Sequence, residues 1–295
     1  MKKKDKTLKK DLHDYAESSY EQWGKFSDKQ LNYKTYTWFS SDTKKTFDHH
    51  MKKNTTVKDK WWNEVYKKTP SRELLEKFGW DKQKITYKMN NHGYRCDDFN
   101  GSRGCKVLFN GDSQTFGVGM NHDDTYPYLF ARHYKIKLHN IAVPGSDWQH
   151  ATQRALYWIP KLKPKYYILR ALPYRFNWWG TKQDGSPTRI SSSSFTEKEM
   201  AKVVLRDPEN VFHKIYPMVD QLHDMNTDWY RYSMIELTRK ICEDNDCEFI
   251  LIDENRKYVD DMGWANTGLA RDLDHFGKEW HHYIFNILLE KNIEL

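Results

Sequence analysis

Beyond residue 84 the chain alternates between brief apolar runs and longer stretches of helical period. Strands are predicted at Ile85–Met89, Lys106–Asn110, Leu138–Ala142, Tyr166–Ala171 and Cys247–Ile252. Helices are predicted just after Ser113, and at Asp123–His133, Trp148–Ile159, Glu209–Met225, Asp228–Glu243 and Gly277–Glu290. Strands of about five residues separated by helices imply a mostly parallel sheet covered on both faces, hence a three-layer α/β/α sandwich. In such sheets ligands bind at the carboxyl ends of the strands. Residues 85–295 are therefore read as one catalytic-type domain.

Residues 1–84 have a different texture. Apolar residues recur at helical spacing at Leu8, Leu12 and Tyr15, and a second helix is predicted over Lys58–Tyr66. A third opens at Thr69-Pro70, runs through Leu74, Leu75 and Phe78, and closes at Gly79. Thr as cap, Pro in the first turn and Gly after the last are helix punctuation. Residues 1–70 hold 17 Lys, no Arg and 10 acidic residues, so they carry the whole net charge of +7. One reading is a basic arm for a protein partner or an anionic surface. The other, which we favour, is a largely helical extension packed on the domain with a solvated Lys face. Lys without Arg argues against nucleic acid as the partner, because phosphate readout favours the guanidinium.

A long insertion separates the third sheet strand from the helix at Asp228. Residues 172–227 begin with Tyr174, Phe176 and Trp178, followed by a Gly/Ser-rich loop from Gly180 to Ser194. Loops this long are usually functional, and this one is read as a wall of the pocket. The competing reading is that its aromatics only pack the insertion onto the domain. No apolar run approaches a membrane span, and the start lacks the apolar stretch of a signal peptide. The expectation is a soluble protein, cytoplasmic or part of an assembly. The four cysteines match no zinc or redox spacing, and neither metal nor cofactor is expected.

The candidate chemistry lies at three places. Gly111-Asp112-Ser113 follows the first sheet strand, Asn140 to Ser146 (with Gly145) follows the second, and Asp272-Leu273-Asp274-His275 precedes the last helix. A serine hydroxyl is a weak nucleophile until an imidazole takes its proton and a carboxylate orients that imidazole. With these motifs in this order, residues 85–295 resemble the SGNH, or GDSL, hydrolases. The turn Gly93-Tyr94-Arg95 also looks like one found in members with N-terminal extensions.

The resemblance implies the SGNH hydrolase fold with a flavodoxin-like sheet, and it implies a site. Ser113 is the expected nucleophile, His275 the base and Asp272 its orienting acid. The backbone N–H groups of Ser113 and Gly145 are the expected oxyanion donors. The family's Gly-x-Asn-Asp block is missing: after the third strand this chain reads Leu169-Arg170-Ala171-Leu172-Pro173-Tyr174-Arg175-Phe176-Asn177. Arg175 or Asn177 is the candidate to replace the missing Asn, and Tyr174, Phe176 and Trp178 are candidate pocket residues. The expected function is a serine esterase that removes a small acyl group, such as acetyl, from a carbohydrate or other polyol. The alternative is a weakly active or inactive scaffold that binds glycans or an assembly through its basic extension.

Overall fold

A computed structural model describes residues 31–52, 56, 65–66, 68–99, 104–172, 177–181, 187–191, 229–252, 262–263 and 266–295. Four strands form one all-parallel sheet: β3 (Val107–Asn110), β4 (His139–Asn140), β5 (Tyr166–Arg170) and β8 (Glu248–Ile252). Their spatial order is β4-β3-β5-β8. The chain thus runs outward from β3 to one side, then returns past it to build the other side. That reversal at β3 is a topological switch point, where a crevice opens beyond the strand ends.

Alternation along each strand explains the layers. Val107 and Phe109 of β3 and Tyr166 and Ile168 of β5 face one way. They meet Tyr126 and Phe130 of α4 (Tyr126–His133) and Trp280, Ile284 and Leu288 of α7 (Lys278–Leu289). Leu108, Tyr167 and Leu169 face the other way. They meet Trp148, Ala151, Ala155 and Trp158 of α5 (Trp148–Leu162) and Ile235 and Ile241 of α6 (229–243). A strand buried on both faces has no polar side to spare, so these strands read as continuous apolar runs. The protein is α/β, with a parallel sheet between helices.

The described residues before 84 pack directly on this body. They contribute β1 (Thr35–Tyr36), α1 (Lys44–Lys52) and α2 (Ser71–Lys77). β1 pairs antiparallel with β2 (Tyr87–Lys88), so main-chain hydrogen bonding crosses the expected boundary at residue 84. Leu74, Leu75 and Trp80 share a core with Phe116, Val118, Ala142, Leu269 and Leu273. The Trp80 indole donates to the Leu269 carbonyl at 2.6 Å. α2 starts at Ser71, one residue later than the Thr-Pro punctuation predicts, and Gly79 follows it with φ +74°.

The insertion departs from its sequence reading. Where a Gly/Ser-rich loop is predicted from Gly180, β6 (Asn177–Thr181) and β7 (Pro187–Ser191) pair as an antiparallel hairpin. Trp178, Trp179 and Ile190 are strong strand formers, and they outweigh the glycine and serines around them. The predicted helix Glu209–Met225, the N-terminal periodic stretch at Leu8–Tyr15 and most of the predicted helix Lys58–Tyr66 lie outside the described residues.

One buried ion pair joins the N-terminal segment to the C-terminal part of the body. Arg271 donates through Nε to Asp42 Oδ1 at 2.9 Å and through Nη2 to Asp42 Oδ2 at 2.6 Å. The two side chains are 3% and 1% exposed. The Tyr87 hydroxyl donates to the same carboxylate at 2.6 Å, and Arg271 also reaches the Thr37 carbonyl and lies over the Trp38 ring. Breaking such a pair leaves an uncompensated buried charge. Asp42→Ala should lower the unfolding free energy by about 3–5 kcal/mol, read from urea denaturation. Lys44→Ala, which removes only the exposed Lys44–Asp48 pair, should leave the midpoint essentially where it is.

Candidate functional site

Ser113 begins α3 (Ser113–Phe116), one turn of helix directly beyond the carboxyl end of β3. Asp112 caps it, accepting the Gln114 N–H at 3.0 Å. The loop after β4 and helix α5 hold this turn. Gly111 receives the Val143 N–H (3.3 Å) and an Arg154 Nη2 (3.2 Å) on its carbonyl. Arg154, buried on α5, also donates to Asn110 Oδ1 at 2.9 Å and to Ser146 Oγ at 2.8 Å. The loop after β4, which carries Gly145, is thereby stitched to the serine turn. Gly145 lies in this loop with φ +73°.

The acid and base come from a turn near the C-terminus. Leu273 takes a left-handed φ of +55°, which folds the chain back so that the Asp274 and His275 N–H groups point at Asp272 Oδ1 (3.2 and 3.3 Å). A buried Leu with positive φ is uncommon, and the surrounding structure has to over-determine it. It does: Ala270 N–H donates to the His275 carbonyl, and Arg271 N–H donates to the Gly119 carbonyl, both at 2.9 Å.

These elements bring Ser113, His275 and Asp272 together in one line of hydrogen bonds. His275 Nε2 lies 2.8 Å from Ser113 Oγ, and His275 Nδ1 lies 2.7 Å from Asp272 Oδ2. An ionised Asp272 can only accept, so it fixes a ring proton on Nδ1, and once the ring is neutral Nε2 is left to accept from the Ser113 hydroxyl. The ring retains 12% side-chain exposure, while the Asp272 side chain is fully covered. Burial alone would lower the His275 pKa; the Asp272 charge and hydrogen bond override it and raise the value to about 9. Burial likewise opposes the Asp272 charge, but His275 and the hydrogen-bond donors around it hold its carboxyl below the usual range.

Arg170 fills a place to which the sequence reading gives no role. It ends β5, and Nη1 donates to Asp112 Oδ1 at 2.8 Å, with both side chains nearly covered. It thus spans the switch point from the end of β5 to the cap of the serine helix. An arginine closing an apolar strand is the sequence signal that could have found it. Arg95, from the Gly-Tyr-Arg turn, clamps the other end of α3. Its guanidinium donates to the carbonyls of Phe116, Gly117, Met120 and Thr86 and stacks on Tyr87. Burial lowers its pKa to about 10, which still leaves it charged at neutral pH.

Of the other expected site residues, Tyr174, Arg175 and Phe176 lie outside the described residues. Asn177 and Trp178 lie on β6, whose side chains are likewise outside them. Beside α3, an open cavity of about 230 Å³ is lined by Leu31, Phe39 and Ser40, by Gly93 and Phe116, and by Ala142 to Pro144. Its walls are mainly apolar, and the N-terminal segment supplies one of them. Among the described residues, one acid–histidine group could hold a cation: ligand atoms of Asp272, Asp274 and His275 lie within 4.8 Å of one another. A cation bound by all three would compete with the His275–Asp272 hydrogen bond.

The exit from α3 is as tight as its start. Gly119 has φ +72°, and a Cβ there would lie 2.9 Å from Ala270 Cβ, 3.0 Å from Arg271 N and 3.1 Å from Asp272 Oδ1. Gly119→Ala should therefore displace the Asp272 turn and lower thermal stability, as differential scanning fluorimetry would show. The raised His275 pKa gives a second test. With about 9 in the folded state and about 6.5 in the unfolded, its stabilisation is complete below pH 6.5 and is lost as pH rises through 9. Urea midpoints across that window should fall, and Asp272→Asn should remove this component. No protein-family model and no curated protein matches the chain, so the functional reading rests on this geometry.

Proposed function

We propose that the protein is a serine esterase with an SGNH-type catalytic triad, acting on a small acyl ester of a carbohydrate or other polyol. The observation that carries this reading is the unbroken Ser113–His275–Asp272 line of hydrogen bonds at 2.8 and 2.7 Å, at the carboxyl end of the switch-point strand. The order of the three motifs along the chain and the serine-bearing turn after β3 support the SGNH assignment.

In this mechanism His275 Nε2 takes the Ser113 proton as Oγ attacks the ester carbonyl. The resulting imidazolium is stabilised by Asp272, which stays ionised. The tetrahedral oxyanion is met by the N–H groups of Ser113 and Gly145, a kind of contact worth about 3–4 kcal/mol per donor in characterised hydrolases. Collapse expels the alcohol, which takes its proton from His275 and leaves an acyl group on Ser113. Water, activated by the same imidazole, then releases the acid and restores the hydroxyl.

The acyl group is assigned to the open, mainly apolar cavity of about 230 Å³ beside α3, lined by Phe116 of the serine helix and by Ala142 to Pro144 of the loop that carries Gly145. A raised His275 pKa places the rising limb of the pH–rate profile above that of a free imidazole.

A fluorophosphonate probe followed by intact-mass analysis tests the reading. A single adduct should form on the native chain and be absent from Ser113→Ala. That variant should also lose acetyl-ester turnover by on the order of a million-fold, as loss of a serine nucleophile does elsewhere. A folded protein that takes no adduct and cleaves no ester would favour an inactive glycan-binding scaffold.

A further inference from the structure

The turn Phe39–Asp42 grips the acid-bearing turn through two adjacent residues at once. Ser40 adopts a left-handed φ of +58°, and Phe39 N–H donates to the Asp42 carbonyl at 3.0 Å. This fold-back presents the Ser41 hydroxyl to Asp272 Oδ2 at 2.7 Å, beside the Asp42 carboxylate on Arg271. Asp272 thereby receives four donors: two backbone N–H groups on Oδ1, and the His275 ring and Ser41 on Oδ2. Of these, only Ser41 comes from outside the Asp272–His275 turn.

We propose that Ser41 is a positioning residue of the active site: its hydroxyl locks the Asp272 carboxylate, and through it the His275 imidazole, in the orientation that serves Ser113. The kinetic consequence rests on the esterase reading, whereas the effect on His275 does not. A carboxylate can rotate about its Cβ–Cγ bond, and a donor from a second segment fixes its plane. Without the hydroxyl, a buried oxygen loses a partner and the carboxylate becomes more basic. It then holds imidazolium more strongly but aims it less well. Anchoring of the segment itself belongs to its neighbours: Asp42 with Arg271, β1 with β2, and Phe39 stacked on Phe116. Ser41 can therefore be changed with those contacts intact.

The experiment uses the full chain with Ser41→Ala and Ser41→Thr. It reads kcat and KM on an ester that the wild type cleaves, together with the His275 ring titration by NMR. The charged groups that set this titration are Asp272, Asp274 and Asp112, and neither variant alters them. For Ser41→Ala, kcat should fall on the order of tenfold with KM unchanged, as for one lost buried hydrogen bond. Its His275 pKa should rise, and Ser41→Thr should return both values towards the wild type. A folded Ser41→Ala with wild-type kcat and titration would overturn the proposal, as would a Thr variant as impaired as the Ala variant. If Ser41→Ala does not fold, Ser41→Cys, with a weak donor of similar size, is read against the same two outcomes. If the wild type neither reacts with the fluorophosphonate nor cleaves esters, the esterase reading fails. The His275 titration then decides on Ser41 alone, a shift supporting its role and an unchanged value refuting it.

Discussion

A carboxylate shut away from water must have its lone pairs met, or it takes up a proton and ceases to be an anion. Asp272 is held to that condition, and much of the surrounding architecture follows from it. Leu273 accepts a left-handed backbone so that two N–H groups face one carboxylate oxygen. Glycine at 119 lets the exit of the serine helix come within reach of the acid turn. The N-terminal segment lies against the same turn and donates the hydroxyl of Ser41. An ionised Asp272 is in turn what lifts His275 above its ordinary pKa against the effect of burial.

Around this anion, guanidinium groups do the joining. Arg154 ties the end of β3, the serine turn and the loop after β4 together. Arg170 ties β5 to the cap of α3, Arg95 holds the far end of that helix, and Arg271 fastens the N-terminal segment. A planar group with five fixed donors can serve several carbonyls at once, which an ammonium cannot do with the same geometry. Lysine prevails instead in the first 70 residues, which contain no arginine. The described lysines of that segment, Lys34, Lys44, Lys45, Lys52 and Lys68, are all exposed, so among the described residues lysine serves as solvated charge where arginine serves as buried crosslink.

Much of the sheet was legible because burial on both faces leaves a simple mark. Lys106–Asn110 and Tyr166–Ala171 are read within one residue of β3 and β5, and the helix at Gly277 likewise, whereas the helix at Trp148 starts where predicted but runs three residues past Ile159 to Leu162. The short β4 is overextended, since Leu138–Ala142 is apolar enough for a strand but pairs only at His139–Asn140. Ser113, Asp272 and His275 were identifiable because each sits in a local motif. Ser41 and Asp42 were not, because nothing near them in the chain signals a partner more than 200 residues away. The hairpin β6–β7 was hidden for a different reason: glycine and serine counts suggested a loop while cross-strand pairing of Trp178 with Ile190 was invisible. Arg154 sits at helical spacing among Ala151, Ala155 and Trp158, and a lone cation on an apolar stripe is a mark that can be read in other chains.

The long sequence separations within the site have a consequence for how the Ser113–His275–Asp272 line arises. Ser113 meets His275 across 162 residues, and Ser41 meets Asp272 across 231. Closing loops of that size contributes nothing until the distant contacts themselves reward it, so the hydrogen-bonded line forms only with the whole fold. A partly folded chain holds Ser113 as an ordinary alcohol, with neither base nor acid beside it. On the esterase reading, chemical competence is therefore a property of the complete tertiary structure, and damage that loosens either distant turn would silence the serine while the sheet still stands.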